Sequence, residues 1–245
     1  YTNPSYGTDK IILAPGITSA EQLKGKTVAV LEGGLTQIFM AEWLTDNGLS
    51  ITDVSFTNLI MDDAVAAMVG GTASAAEFWE PFGSQVLEAM PGSTVAADST
   101  EEKYITTALL GDAMYMSTKF IAERPEDAAK LARAYFNAVE FWKTNTAEAN
   151  QIIADGLKFS VADVEQVLGN NGEIKKGGIF AFDIDQAAIF MGLKPGTLPL
   201  GIAADGMQAH WDTTTDWWLK FGFVEKAMPM SAGVDTTPLE AALKL

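Results

Sequence analysis

The stretch from Gly25 to Ala41, GKTVAVLEGGLTQIFMA, constrains the fold more than any other part of this chain. A short, β-branched apolar run, Thr27 to Leu31, leads into Gly33-Gly34 and Thr36, and a helical spacing of Ile38, Phe39, Trp43 and Leu44 follows. Strand, glycine turn, helix is an order that points free backbone N–H groups at an anion. The first turn of a helix has unsatisfied donors and a partial positive charge, and glycine lets a ligand approach the backbone closely. The glycine pair also reads as plain turn chemistry. No Gly-Lys-Ser/Thr follows, so this is not a P-loop, and the G-x-G-x-x-G dinucleotide pattern is incomplete.

The alternation extends through the first half. Lys10 to Leu13 is an apolar run broken by Ala14-Pro15-Gly16, and Thr18-Ser19-Ala20-Glu21 has the form of a helix start closed at Gly25. Strands are predicted over Thr27–Leu31, Val54–Leu59, Ala75–Trp79 and Thr94–Ala97. Helices are predicted over Thr36–Asn47, Asp62–Val69 and Val86–Met90. That order implies a mainly parallel sheet with helices on both faces.

The second half reads as helical over Pro125–Thr144, Ala147–Gly156, Ser160–Leu168, Asp183–Met191 and Gly206–Phe221. Its one good strand candidate is Ala113–Ser117, where Met114 and Met116 alternate with Ala113, Tyr115 and Ser117. Amphipathic helices must bury an apolar face, and no sheet in the second half receives these. The opening YTNPSYGTDKIIL, without a signal peptide, reads as the interior of a longer protein.

Composition excludes several classes. The 245 residues carry a formal net charge of −16 and a 48% hydrophobic content. A large core is therefore available, while a nucleic-acid binder with its basic face is not indicated. Without cysteine there is no disulfide, thiolate nucleophile or cysteine-held zinc. His210 is the only histidine, which leaves no His-rich metal site and no two-histidine acid/base scheme. No apolar stretch is long enough to span a membrane. An anion site in so acidic a chain would have to be local, built from backbone dipoles.

Several motifs, in order, resemble the periplasmic substrate-binding proteins of ABC importers, in particular the taurine, alkanesulfonate and nitrate group. They are Pro15-Gly16-Ile17-Thr18-Ser19 through Leu23-Lys24-Gly25-Lys26, the Gly33-Gly34-Leu35-Thr36 turn, Asp62-Asp63-Ala64 through Gly70-Gly71, Phe78-Trp79-Glu80-Pro81-Phe82, and Phe120 to Asn145. Met191-Gly192-Leu193 and Trp218 to Phe223 are similar to the group's C-terminal helices. The resemblance implies an α/β, two-lobed periplasmic-binding-protein fold of type II with its first lobe incomplete. Residues 1–5 would be a hinge strand, 6–97 the second lobe, and 98–245 the return hinge and the C-terminal helical part of the first lobe.

It further implies a non-catalytic, exported, periplasmic or membrane-tethered monomer. Such a protein would capture a small organic anion, taurine or another sulfonate, and deliver it to the permease subunits of an ABC transporter. No cofactor and no nucleic acid are implied. The alternatives on the same scaffold are a pyrimidine-precursor-binding protein and an enzyme like the thiamin-pyrimidine synthases or those of menaquinone synthesis.

Candidate ligand residues follow from both readings. Gly33, Gly34, Leu35 and Thr36 would present backbone N–H groups, and the Thr36 hydroxyl, to an anionic head group. Trp79 and Glu80 follow an apolar strand, where open α/β sheets bind ligands. There the indole would wall the pocket or stack on a cation and the carboxylate would pair with an ammonium group, or the two would be a core tryptophan and a solvated acid. Asn3, Ser5 and Tyr6 would hydrogen-bond a ligand from the hinge, or simply organise an Asn-Pro-Ser turn. Asp9 and Asp98 read as braces of the hinge strands, and His210 as structural.

Overall fold

The structure, a computed structural model, describes residues 1–245. The chain forms two compact units, Tyr1–Ser5 with Glu102–Leu245 (unit 1) and Tyr6–Glu101 (unit 2). It opens with β1 (Asn3–Tyr6), most of which belongs to unit 1.

Unit 2 contains β2 (Lys10–Leu13), β3 (Thr27–Val30), α1 (Leu35–Asp46), β4 (Ser55–Asn58), α2 (Met61–Val69), β5 (Ala75–Phe78), α3 (Phe82–Ala89) and β6 (Thr94–Asp98). Its sheet has the order β4-β3-β5-β2-β6. β4, β3 and β5 are parallel, and β2 runs antiparallel to both β5 and β6. The sheet is thus mixed where the element order implied a mainly parallel one. Between β2 and β3 the only helical piece is the 3-10 turn Ala20–Leu23. A parallel return needs a longer crossover, usually an α-helix. The predicted helix start at Thr18 makes only this turn, with Gln22 Oε1 accepting from the N–H groups of Thr18 (2.7 Å) and Ser19 (3.2 Å).

Both faces of the sheet are covered. On one, Ile12, Ala29, Ala76 and Phe78 pack with Met61, Ala64, Met68 and Val86 of α2 and α3. Side chains alternate along a strand, so Ile11 and Val28 lie on the opposite face, which α1 covers through its contacts with β3 and β5. Residues Thr36 to Ala41 of α1 are all buried, the polar Thr36 and Gln37 among them. α3 starts at Phe82, four residues before the predicted Val86, because Pro81 at the N-cap sets the entry to the helix.

Unit 1 continues with α4 (Glu102–Ile105), β7 (Gly111–Asp112), α5 (Thr118–Glu123), α6 (Pro125–Thr144), α7 (Thr146–Leu157), α8 (Val161–Leu168), β8 (Gly178–Ile179), α9 (Ile184–Phe190), α10 (Met207–Phe221) and α11 (Thr237–Ala242). Its small sheet has the order β7-β1-β8. The predicted strand at Ala113–Ser117 is not formed. Asn3 pairs with Asp112 and Pro4 with Gly111, so the register leaves β1 no residues to offer beyond position 114. The chain then enters α5, with Ser117 Oγ accepting from Phe120 N–H at 3.1 Å.

α6 packs against α5, α7 and α11, and α7 against α8. A buried amide ties this layer together: Asn150, fully enclosed, accepts from Trp142 Nε1 at 2.9 Å and donates to Gly169 O at 2.8 Å. Gly156, on α7, would meet nothing within 4 Å if given a Cβ. Gly156→Ala is expected to stabilise the chain by about 0.5–1 kcal/mol through the reduced backbone entropy of the unfolded state. Urea unfolding reads this as a higher midpoint, and a lower one would contradict a regular helix at that residue.

Candidate functional site

β3 and β5 are adjacent and parallel, and the chain leaves their carboxyl ends into the two segments that the sequence singled out. Val30 runs into the Leu31–Thr36 turn, and Phe78 into Trp79-Glu80-Pro81. Both segments therefore lie at one edge of one sheet, the edge at which open α/β sheets hold ligands.

Polar side chains fix the first turn tightly. The Thr36 hydroxyl accepts from Leu31 N–H and donates to Leu31 O, both at 3.1 Å. Gln37, buried, accepts from Gly33 N–H through Oε1 at 2.8 Å, and Gly34 N–H donates to Leu31 O at 3.2 Å. Gly33 has φ +78°, a conformation that favours glycine. Gly34 is the N-cap of α1 and has no capping side chain, and the first turn of α1 contains no acid. The first intrahelical bond from Gly34 O is accepted from Ile38 N–H at 3.4 Å. The N–H groups of Leu35, Thr36 and Gln37 thus precede any intrahelical partner and mark the positive end of the helix dipole. Thr36, whose hydroxyl was expected to face a ligand, is 6% exposed and turns that hydroxyl back to Leu31.

The second segment differs more from expectation. Glu80 is buried, and its Oε1 accepts from Lys10 Nζ at 2.5 Å while its Oε2 accepts from Ser84 N–H at 3.0 Å. Lys10 also donates to Gly7 O at 2.8 Å and Thr8 O at 3.3 Å. The carboxylate anticipated for a ligand ammonium therefore already has a cation. Lys10 and Glu80 lie far apart in sequence, and no local spacing connects them. Trp79 is half-buried and meets Phe82 edge-on, with centroids 6.3 Å apart.

The remaining candidates are not gathered with these. Asn3 and Ser5 lie in unit 1 and are buried. The Asn3 amide donates to Asp112 Oδ2 at 3.1 Å, its Oδ1 accepts from the Thr2 hydroxyl at 3.0 Å, and Ser5 N–H donates to Leu110 O at 2.7 Å. Tyr6 is half-buried at the start of unit 2. Asp98 closes its own turn by accepting from Thr100 N–H at 2.8 Å. Unit 2 has a groove of about 450 Å³ beside Thr27, Thr57 and Asp63, and unit 1 a cavity of about 470 Å³ near Met114, Met116 and Phe136. Neither reaches the Leu31–Thr36 turn.

The architecture is that of the periplasmic binding proteins. The structure aligns with the periplasmic aliphatic sulphonate binding protein SsuA of Escherichia coli at a TM-score of 0.66 and 18% identity, covering 96% of this chain and 68% of that one. It aligns with the periplasmic nitrate-binding protein NrtA of Synechocystis PCC 6803 at 0.69 and 15%, covering 99% and 66%. The desulfurization enzyme DSZB shares the fold at 0.59 and 13%, covering 99% and 78%. In sequence, the chain is 29% identical over 173 residues to a Bacillus subtilis protein named for binding aliphatic sulfonates, covering 70% of this chain and 50% of that protein. It spans about half the length of the curated relatives it matches. Residues 11–156 match the NMT1-like family, and the chain belongs to that family. No helix is long and apolar enough to cross a membrane.

Proposed function

We propose that this chain is part of the solute-binding protein of an ABC importer, exported to the periplasm and acting as a monomer, which captures an organic sulfonate and passes it to a membrane permease. The observation that carries this reading is the first turn of α1. It offers three N–H groups at the sheet edge, held by Thr36 and Gln37 and opposed by no acid in that turn. Such a cradle suits the oxygens of a sulfonate head group. Membership of the NMT1-like family and the relative named for aliphatic sulfonates support the same class. Nitrate, the ligand named for one protein of this fold, is the competing anion. Because Lys10 already neutralises Glu80, a simple alkanesulfonate fits better than taurine, whose ammonium would have to displace Lys10.

The enzyme reading has less behind it. A reactive histidine is needed by one form of it, and His210 is buried in unit 1, its Nδ1 3.0 Å from Ala108 O. DSZB keeps that class within reach of the fold.

Calorimetric titration of the chain with ethanesulfonate, taurine and nitrate tests the proposal. Ethanesulfonate is expected to bind most tightly. Thr36→Ala is expected to weaken it about tenfold by loosening the turn, while Thr36→Ser, which keeps the hydroxyl, retains most of the affinity. Binding of nitrate but not of either sulfonate would overturn the ligand class. An unchanged affinity in Thr36→Ala would remove the turn from the site.

A further inference from the structure

β5 carries a residue at odds with its surroundings. Ala75, Ala76, Glu77 and Phe78 are all buried, and Glu77 is fully enclosed. The register sets Glu77 opposite Ile11 of β2, so its side chain stands on the sheet face that α1 covers. Asp9, two residues before Ile11, lies on the same face, diagonal to Glu77 and within reach of a long side chain. Neither Glu77 oxygen receives an N–H or O–H donor, and the group that Glu77 faces is the Asp9 carboxyl.

An ionised carboxylate only accepts hydrogen bonds. Two of them facing each other, Glu77 fully enclosed and Asp9 half-buried, would repel with no bond between them, and one proton turns the contact into a hydrogen bond. Lys10 acts on Glu77 only at a distance, since its ammonium is engaged by Glu80, Gly7 and Thr8. The buried residues of α1 are Thr36, Gln37, Ile38, Phe39, Met40, Ala41, Trp43 and Leu44, none of them charged, and its one acid before the last turn, Glu42, is half-buried. β3 brings Val28 and Val30, and beside Asp9 the Ser99 hydroxyl accepts from Gly7 N–H at 2.7 Å.

We propose that Asp9 and Glu77 hold one proton between them, and that its loss loosens unit 2, making this corner of the sheet a pH-operated latch. Burial first, and then the charge of Asp9, push the Glu77 carboxyl well above the usual carboxylate range, with Lys10 pulling weakly the other way. In the unfolded chain Glu77 gives up its proton near pH 4, whereas the folded chain keeps it. The folding constant is therefore highest below that pH. It falls about tenfold per pH unit above it, until the folded group ionises as well.

The test is urea unfolding of the whole chain from about pH 5 to about pH 9, with Glu77→Gln and Asp9→Asn beside it. Glu77→Gln keeps the shape and supplies a permanent donor to Asp9. Its advantage over the unaltered chain is expected to grow about tenfold per pH unit in the folding constant, while Asp9→Asn ends the fall at a lower pH. Curves for Glu77→Gln and the unaltered chain that run parallel across this range would overturn the proposal. Should the variants fail to fold, the Glu77 carboxyl-carbon resonance of the unaltered chain decides. A protonated shift at neutral pH supports the shared proton, and an ionised one refutes it.

Discussion

Lys10→Met is expected to cost unit 2 about 3–5 kcal/mol, the typical penalty for leaving one partner of a buried ion pair uncompensated. The side chains of Lys10 and Glu80 are only 15% and 5% exposed, so water screens their attraction little. Removing the ammonium strands the Glu80 carboxylate with Ser84 N–H as its one remaining donor, and leaves the carbonyls of Gly7 and Thr8 without the lysine that now bonds them. The double variant Lys10→Met/Glu80→Leu is expected to recover most of the loss, because removing both charges ends the desolvation problem that removing one creates. Urea unfolding followed by tryptophan fluorescence gives both numbers. A loss below about 1 kcal/mol for Lys10→Met would mean that the pair behaves as a surface bridge. The same variants bear on ligand choice. If Glu80 is reserved for Lys10, neutralising it harms taurine and ethanesulfonate binding alike, whereas a selective loss of taurine would restore Glu80 to the site.

What the sequence disclosed here is what periodicity and punctuation encode. The runs at Thr27–Val30, Ser55–Asn58 and Ala75–Phe78, each bounded by turn residues, form strands, and Pro125–Thr144 forms the long helix its spacing predicts. The Gly33-Gly34 turn falls at the carboxyl edge of the sheet, as strand–turn–helix order requires. The direction of β2 was not legible, because it depends on pairing with β5 and β6, more than sixty residues away in the chain. Nor was the use of the polar groups. Apolar spacing shows that Thr36, Glu80 and Asn3 border a core, but not which neighbour saturates them. Each finds a protein partner, Leu31, Lys10 and Asp112. Glu77 did leave a trace: an acid inside the run Ala75-Ala76-Glu77-Phe78 is hard to place in a strand covered on both faces.

Between about pH 6.5 and about pH 4 unit 1 is expected to lose stability through His210. Burial, the largest influence, lowers its pKa from 6.5 to about 4. The ring is 8% exposed and lies edge-on to Tyr1 at 5.3 Å. Its Nδ1 is 3.0 Å from Ala108 O, a carbonyl that also accepts from the Tyr1 hydroxyl at 2.5 Å. A carbonyl only accepts, so the neutral tautomer present carries its proton on Nδ1. The unfolded chain takes up a second imidazole proton near pH 6.5, while the folded chain resists until about pH 4. The stability from this depressed pKa is therefore complete above the unfolded value and drains away as pH falls towards the folded one. Over the whole window the loss is about 3 kcal/mol. Carboxylates titrate near the lower end of the same range, so the informative quantity is the difference from His210→Asn, whose amide keeps a donor for Ala108 O but cannot gain a charge. That variant is expected to be less stable than the unaltered chain at neutral pH, where packing against Tyr1 is lost, and to close the gap as pH falls. A gap that stays constant down to about pH 4 would show that the imidazole is reached by water and titrates in the folded chain as it does in the unfolded one.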